Sequence, residues 1–125
     1  MTPSAGETHA FDRTFTKADV RQFTELSGDA GDHHVEENAD GQLLVQGLLT
    51  ATLPTKVGGE FDVLARRMTF HFRRPVWTGE EVHSEVTFET VAERPDGNLE
   101  VEAVFDCTRE SEPVLQGTFE GLIRQ

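Results

Sequence analysis

One stretch limits the fold more than any other: Leu43 to Val57, LLVQGLLTATLPTKV. Leu43, Leu44, Val45, Leu48, Leu49, Ala51, Leu53 and Val57 would cover most of the circumference of a helix, and only Gln46 and Lys56 are strongly polar. A helix apolar on most faces has to be enclosed. Gly47 inside the run and Pro54 near its end predict irregular helix ends, and Gly58-Gly59 predict its stop.

The enclosure has to come from the C-terminal half of the chain. Beyond Gly59 the apolar period changes to two. Met68, Phe70 and Phe72 alternate with Arg67, Thr69, His71 and Arg73. Val82, Val86 and Phe88 alternate with Glu81, His83, Glu85 and Glu89. Leu99, Val101, Ala103, Phe105 and Cys107 alternate with Glu100, Glu102 and Asp106, and Leu115, Phe119 and Ile123 recur later. These are four strands with one dry and one wet face, which predicts an antiparallel sheet. Turns are predicted at Pro75 to Gly79, at Pro95-Asp96-Gly97-Asn98 and at Ser111-Glu112-Pro113.

One apolar helix and one single-faced sheet have a simple solution: the sheet wraps around the helix. The expected class is α+β, the hot-dog fold, as one domain over residues 1–125. Its open edges predict a homodimer or higher homo-oligomer. Upstream, residues 1–10 read as a loose N-terminus and Phe11 to Phe15 as a short strand. Thr16 and Asp19 form a capping-box pattern ahead of a helix over 17–27, with Gly28 as its stop. Residues 29–41 are polar and Gly/Asp-rich, hence a loop.

Composition narrows the function. The chain has 125 residues, 23 Asp plus Glu against 11 Lys plus Arg, and a net charge of −12. Such a surface argues against nucleic acid and anionic membranes as partners. It also resembles proteins of high-salt cytoplasms, where screening relieves self-repulsion. No apolar run approaches the ~18 residues that cross a membrane, and the polar opening MTPSAGETHA is unlike a signal peptide. The expectation is a soluble, cytoplasmic protein. Cys107, the only cysteine, falls in a predicted strand and reads as a core residue rather than a nucleophile.

The chemistry-bearing stretch is Ser27-Gly28-Asp29-Ala30-Gly31-Asp32-His33-His34. Asp29, Asp32, His33, His34, Glu36 and Glu37 could all ligate a metal. However, adjacent histidines point differently, neither an H-x-x-x-H pattern nor a Cys pair is present, and no distant ligand cluster is apparent, so no metal is expected. From the residues alone, an Asp/His pair converging on one water and a solvated polar loop with exposed histidines both remain open. Histidine titrates near neutral pH, and a carboxylate beside it can hold water and set its tautomer.

Three segments carry a family resemblance. Phe23-Thr-Glu-Leu-Ser-Gly-Asp29 followed by His34 resembles the A-x-x-S-G-D-x-N-P-x-H motif of the MaoC-like dehydratases, the (R)-specific enoyl-CoA hydratases. Val45-Gln-Gly-Leu-Leu-Thr-Ala-Thr-Leu53 resembles their V-H-G-M-L-T-A-x-L helix, and Phe70-His-Phe-Arg-Arg-Pro-Val-Trp-Thr-Gly79 resembles their F-x-x-P-V-x-x-G-D segment. The matches keep their order and run from about residue 15 to 90. Three positions depart: Gly31-Asp32 stands for Asn-Pro, Gln46 for His, and Glu80 for Asp. Glycine in place of proline predicts a loop with more backbone freedom.

The resemblance implies hydration of a trans-2-enoyl thioester to the (R)-3-hydroxyacyl thioester, or the reverse dehydration. It casts Asp29 and His34 as the catalytic pair, the Gly47 N–H as donor to the thioester oxygen, and Thr55 as a supporting hydroxyl. Ser27 belongs to the substrate-binding motif. Arg66, Arg67, Arg73 and Arg74 are candidates for the phosphates of coenzyme A or phosphopantetheine, which arrive as part of the substrate, with no separate cofactor. Two other readings compete. Thioesterases of this fold often carry a carboxylate on the central helix, and residues 43–57 hold none. The departures at Gly31-Asp32 and Gln46 motivate a non-catalytic acyl-thioester-binding subunit.

Overall fold

A computed structural model describes residues 2–125. The elements run β1 (Thr8–Thr14), α1 (Lys17–Ser27), α2 (Asp32–Val35), α3 (Gly47–Thr50), α4 (Thr52–Glu60), β2 (Val63–Phe72), β3 (Glu81–Glu93), β4 (Leu99–Arg109) and β5 (Glu112–Ile123). All five strands form one antiparallel sheet in the order β1-β3-β4-β5-β2. On β3, β4 and β5 the alternation predicted from sequence is what the strands bury, whereas on β2 Met68 and Phe70 are half-buried and Phe72 is exposed. Val82, Ser84, Val86 and Phe88 of β3 and Val101, Ala103, Phe105 and Cys107 of β4 face inward.

The dry face closes over Leu49, Leu53 and Val57 from α3 and α4, with Phe15 and Val20 from the N-terminal segment. Phe88, Phe105 and Phe119 meet ring to ring at 6.0–6.5 Å in the middle of the sheet. The strands bend to achieve this. The ladders shift register between Ala65 and Arg67, between Phe88 and Thr90, and between Cys107 and Thr108, and such irregularities increase local twist. β2 and β5 also approach closely. A Cβ on Gly117 would lie 1.9 Å from the Thr69 carbonyl oxygen, so only glycine fits there.

Several boundaries differ from the sequence expectation. The central helix starts at Gly47, four residues later than Leu43. Residues 43–45 are extended instead. Leu44 bridges Trp77, Val45 N–H donates to Val76 O (2.8 Å), and Thr78 N–H donates to Leu43 O (3.0 Å). The helix then breaks at Ala51. Pro54 has no N–H to give Thr50 O, which removes the bond that would join α3 to α4. It also runs through Gly58-Gly59 to Glu60.

At the N-terminus, pairing begins before Phe11. Thr8 to Thr14 lie opposite Thr87 to Glu81, and Gly6 N–H reaches Phe88 O (2.7 Å), so the latter part of residues 1–10 is tied to β3. The third turn lies at Glu110-Ser111, both with positive φ (49° and 67°), while Glu112 and Pro113 already belong to β5. Two positive φ values in a two-residue loop suit the right-handed twist of the flanking strands. The capping box of α1 forms: Asp19 N–H donates to Thr16 Oγ1 (3.1 Å) and Thr16 N–H to Asp19 Oδ2 (2.9 Å).

Candidate active site

Helix α1 delivers Asp29. Gly28 ends the helix in the left-handed region (φ 78°), donating its N–H to Thr24 O (2.9 Å). Ser27 shapes the exit. Its hydroxyl donates to Phe23 O (2.6 Å) and accepts from the Asp29 N–H (3.0 Å).

The loop beyond Asp29 is not shapeless. Residues Asp32–Val35 form one helical turn, α2, with Gly31 at its N-cap (φ −55°, ψ 147°). That backbone is one any residue adopts before a proline, and Asp32 occupies the first helical position, where proline is favoured. Gly31-Asp32 therefore takes the geometry an Asn-Pro pair would impose. The extra freedom expected of Gly31 is not used. The missing asparagine leaves the turn without a side-chain cap.

The α2 turn carries His34 inward. His34 is buried (6% exposed), and its Nδ1 lies 2.7 Å from Leu44 O. A carbonyl only accepts, so Nδ1 bears the proton, and in the neutral ring Nε2 presents a lone pair. Nε2 lies 3.6 Å from Asp29 Oδ2. That is too long for a direct hydrogen bond and short enough for one water to touch both groups.

A cavity of about 340 Å³ opens beside His34. It is lined by His33, His34, Gly47, Thr50, Phe72 and Arg73, among others. Gly47 is the first residue of α3. The first intrahelical donor is Thr50 N–H, to Gln46 O (3.0 Å). The Gly47 N–H, in the first turn, has no intrahelical acceptor. The missing side chain of Gly47 is filled by the Phe72 ring: a Cβ there would lie 2.9 Å from Phe72 Cε1.

The expected site residues are thus only partly brought together. His34 and Gly47 line the cavity, and Asp29, half exposed, reaches His34 from outside the lining. Arg73 and Arg74 lie at the cavity. Arg73 Nε donates to Gln116 Oε1 (3.0 Å), and Arg74 pairs with Glu112 (2.9 Å). Arg66 and Arg67 do not join them. They sit on β2, and seven residues of strand separate Arg66 from Arg73 by roughly 20 Å. Arg66 is engaged by Glu100 and Glu120, whose hydrogen bonds and charge raise its pKa.

Thr55 is exposed on α4, bonded to Thr52 O (2.7 Å), and does not line this cavity. Thr50 does, one helical turn after Gly47. Thr50, His33 and Phe72 were not among the expected site residues, and the one available signal was a hydroxyl three positions after Gly47 on the same helix face. His33 packs edge-on against His34, with ring centroids 4.1 Å apart. Among the described residues no three His, Cys, Asp or Glu side chains form a cluster suited to a metal. Glu37 instead pairs with Lys17 (2.6 Å). Burial pushes the Cys107 thiol up to about 11, which makes it a poor nucleophile.

The fold has solved counterparts. No protein-family model matches the chain, and no curated protein matches it by sequence. An (R)-hydratase from A. caviae involved in PHA biosynthesis superposes with a TM-score of 0.81 at 21% identity, over 98% of each chain. A MaoC-like dehydratase from Rhodospirillum rubrum superposes with a TM-score of 0.74 at 15% identity, over 98% of this chain and 94% of that one.

The chain has the hot-dog fold.

The same fold is shared with the fluoroacetyl-CoA thioesterase FlK (TM-score 0.70, 12% identity, 99% of this chain and 90% of that one). A hot-dog likeness at these identities fixes architecture, and chemistry must be argued from residues. No helix among the described residues is long and apolar enough to cross a membrane.

Proposed function

We propose that this hot-dog protein is a hydro-lyase that hydrates a trans-2-enoyl-CoA to the (R)-3-hydroxyacyl-CoA, or catalyses the reverse dehydration. The observation that carries the reading is the Asp29–His34 pair. One imidazole nitrogen is fixed by Leu44 O and the other faces a carboxylate at 3.6 Å.

Hydration needs one water oxygen bonded to C3 and one proton delivered to C2. Water held between Asp29 and His34 Nε2 gives up one proton to the pair as its oxygen attacks C3. The pair returns one proton to C2, so nothing is consumed but water. Electron density moves from the C2=C3 bond onto the thioester oxygen, which the Gly47 N–H is free to meet. Arg73 and Arg74 at the cavity favour the phosphates of the coenzyme A arm. The functional unit is read as a homodimer in the cytoplasm, with no bound cofactor or metal. The (R) outcome rests on the likeness to the A. caviae hydratase.

A thioesterase is the second reading, favoured by the likeness to FlK. Against it, Glu60 is the acidic residue of α4, and its carboxylate is engaged by Lys56 outside the cavity. The third reading is an acyl-thioester-binding subunit without turnover.

Crotonyl-CoA separates the three. Loss of the enoyl-thioester absorbance with wild type, and not with Asp29→Asn or His34→Ala, supports the hydratase. Release of free thiol supports the thioesterase. Binding of CoA esters with neither signal, across acyl lengths and salt concentrations, overturns both in favour of the binding subunit.

A further inference from the structure

Gln46, which stands where the resembling helix motif has histidine, is fully buried (0% exposed) just before Gly47. Its Nε2 donates to Thr24 Oγ1 (2.8 Å) and to Val20 O (3.3 Å), both on α1. Its Oε1 is buried with no partner. An unmet buried acceptor is a liability that an apolar side chain of equal length would avoid. The donor end is therefore what an amide contributes here.

That donor joins the two halves of the site. Thr24 is the residue whose carbonyl receives the Gly28 cap, and Gly28 leads directly into Asp29. On the other side, Leu44 fixes His34 through its carbonyl and accepts nothing further from α1, while Gly47 begins α3. Among the described residues, the Gln46 amide is the side-chain hydrogen bond that ties segment 44–47 to α1.

We infer that Gln46 is a positioning residue: its amide braces α1 against the start of α3 and so sets the separation of Asp29 from His34 and Gly47. The kinetic part of this inference rests on the hydratase reading above, and the structural part does not. Displacing a reacting group by about 1 Å can cost about a hundredfold in rate.

The test uses the whole chain and two variants: Gln46→Met, which removes the donor, and Thr24→Val, which removes the nearer of its two acceptors. Backbone hydrogen exchange is measured over residues 24–34 and, as a reference, over β3, β4 and β5. Either variant is expected to raise exchange in 24–34 at least tenfold with the strands unchanged. Crotonyl-CoA kcat should fall roughly ten- to hundredfold with KM within about twofold. Gln46→His, which keeps a ring N–H donor, should recover most of both. The double variant should lose no more than Gln46→Met alone.

Unchanged exchange in 24–34 for both variants overturns the inference. So does a rise spread evenly over the strands, which would mark general destabilisation. If the wild type turns over no enoyl thioester, the hydratase reading fails and the exchange measurements still decide the brace.

Discussion

The Nδ1 of His34 lies 2.7 Å from the carbonyl oxygen of Leu44, so the backbone of the segment entering the central helix dictates which imidazole nitrogen meets Asp29. Removing either member of the pair should therefore disable the other. We expect Asp29→Asn and His34→Ala each to lower crotonyl-CoA hydration by on the order of 10²–10⁴-fold, and the double variant to fall no further. Steady-state kinetics of the three variants check this; additive losses would mean that the two groups act separately.

Gly47 and Phe72 form a matched contact. Gly47→Ala places a Cβ 2.9 Å from Phe72 Cε1, and the half-exposed ring must move. The expected result is a fall in kcat/KM of roughly tenfold or more, with thermal stability little altered. Phe72→Leu should suppress part of that loss in the double variant, because neighbouring sites couple. Equal losses in both backgrounds would show that the ring is not the obstacle.

Asp32→Pro should stabilise the protein. Gly31 already has pre-proline dihedrals and Asp32 is the first residue of α2, so proline would restrict the unfolded chain without straining the fold, for about 0.4–1 kcal/mol. Urea unfolding measures it, and a loss of stability would contradict the assigned turn.

Gly117→Ala should do the reverse. The new Cβ would meet the backbone oxygen of Thr69 at 1.9 Å, where no side chain can yield. We expect a loss of about 2 kcal/mol or more by the same measurement, with β2 the first strand to lose exchange protection.

His83 and Asp12 face each other across β1 and β3, with Nδ1 2.7 Å from Oδ1. The Asp12 hydrogen bond raises the His83 pKa, helped by the charges of Asp12 and Glu85. A raised folded pKa contributes stability below the unfolded value near 6.5 and loses it as pH rises through the folded value. Both side chains are about half exposed, so the effect should stay under about 1 kcal/mol. Unfolding curves between pH 5 and 9 should show this slope in the wild type and not in Asp12→Asn. The net charge of −12 adds a salt dependence on top: the melting temperature should rise between dilute buffer and molar KCl as self-repulsion is screened.

The sheet was legible because period-two burial is written residue by residue, as in Val82, Val86 and Phe88. The enclosed helix was legible because so few of its residues tolerate water. Its start was not, because Leu43 and Val45 are as apolar in an extended segment facing the core as in a helix. Only the tertiary bonds to Val76 and Thr78 decide between the two. In the site, Asp29 and His34 stand out only through the motif resemblance, and spacing and chemistry alone leave them equivalent to Asp32 and His33. Whether an arginine reaches the cavity could not be read. Arg66 and Arg73 look alike in sequence, and the acids across the sheet determine which one is occupied elsewhere. Thr55 and Thr50 differ by little more than one helical turn, and a small change in where the helix begins moves a hydroxyl to another face.

Pro54 gives the central helix a division of labour. Because it leaves Thr50 O without a helical donor, the four residues that begin with Gly47 are articulated from the nine of α4, which carry Leu53 and Val57 into the core. The longer segment answers to volume alone, while the short one both seats Leu49 in the core and presents Gly47 and Thr50 to the cavity. A barrel-and-axle body of this kind can drift far in its packing residues while its working end stays in register.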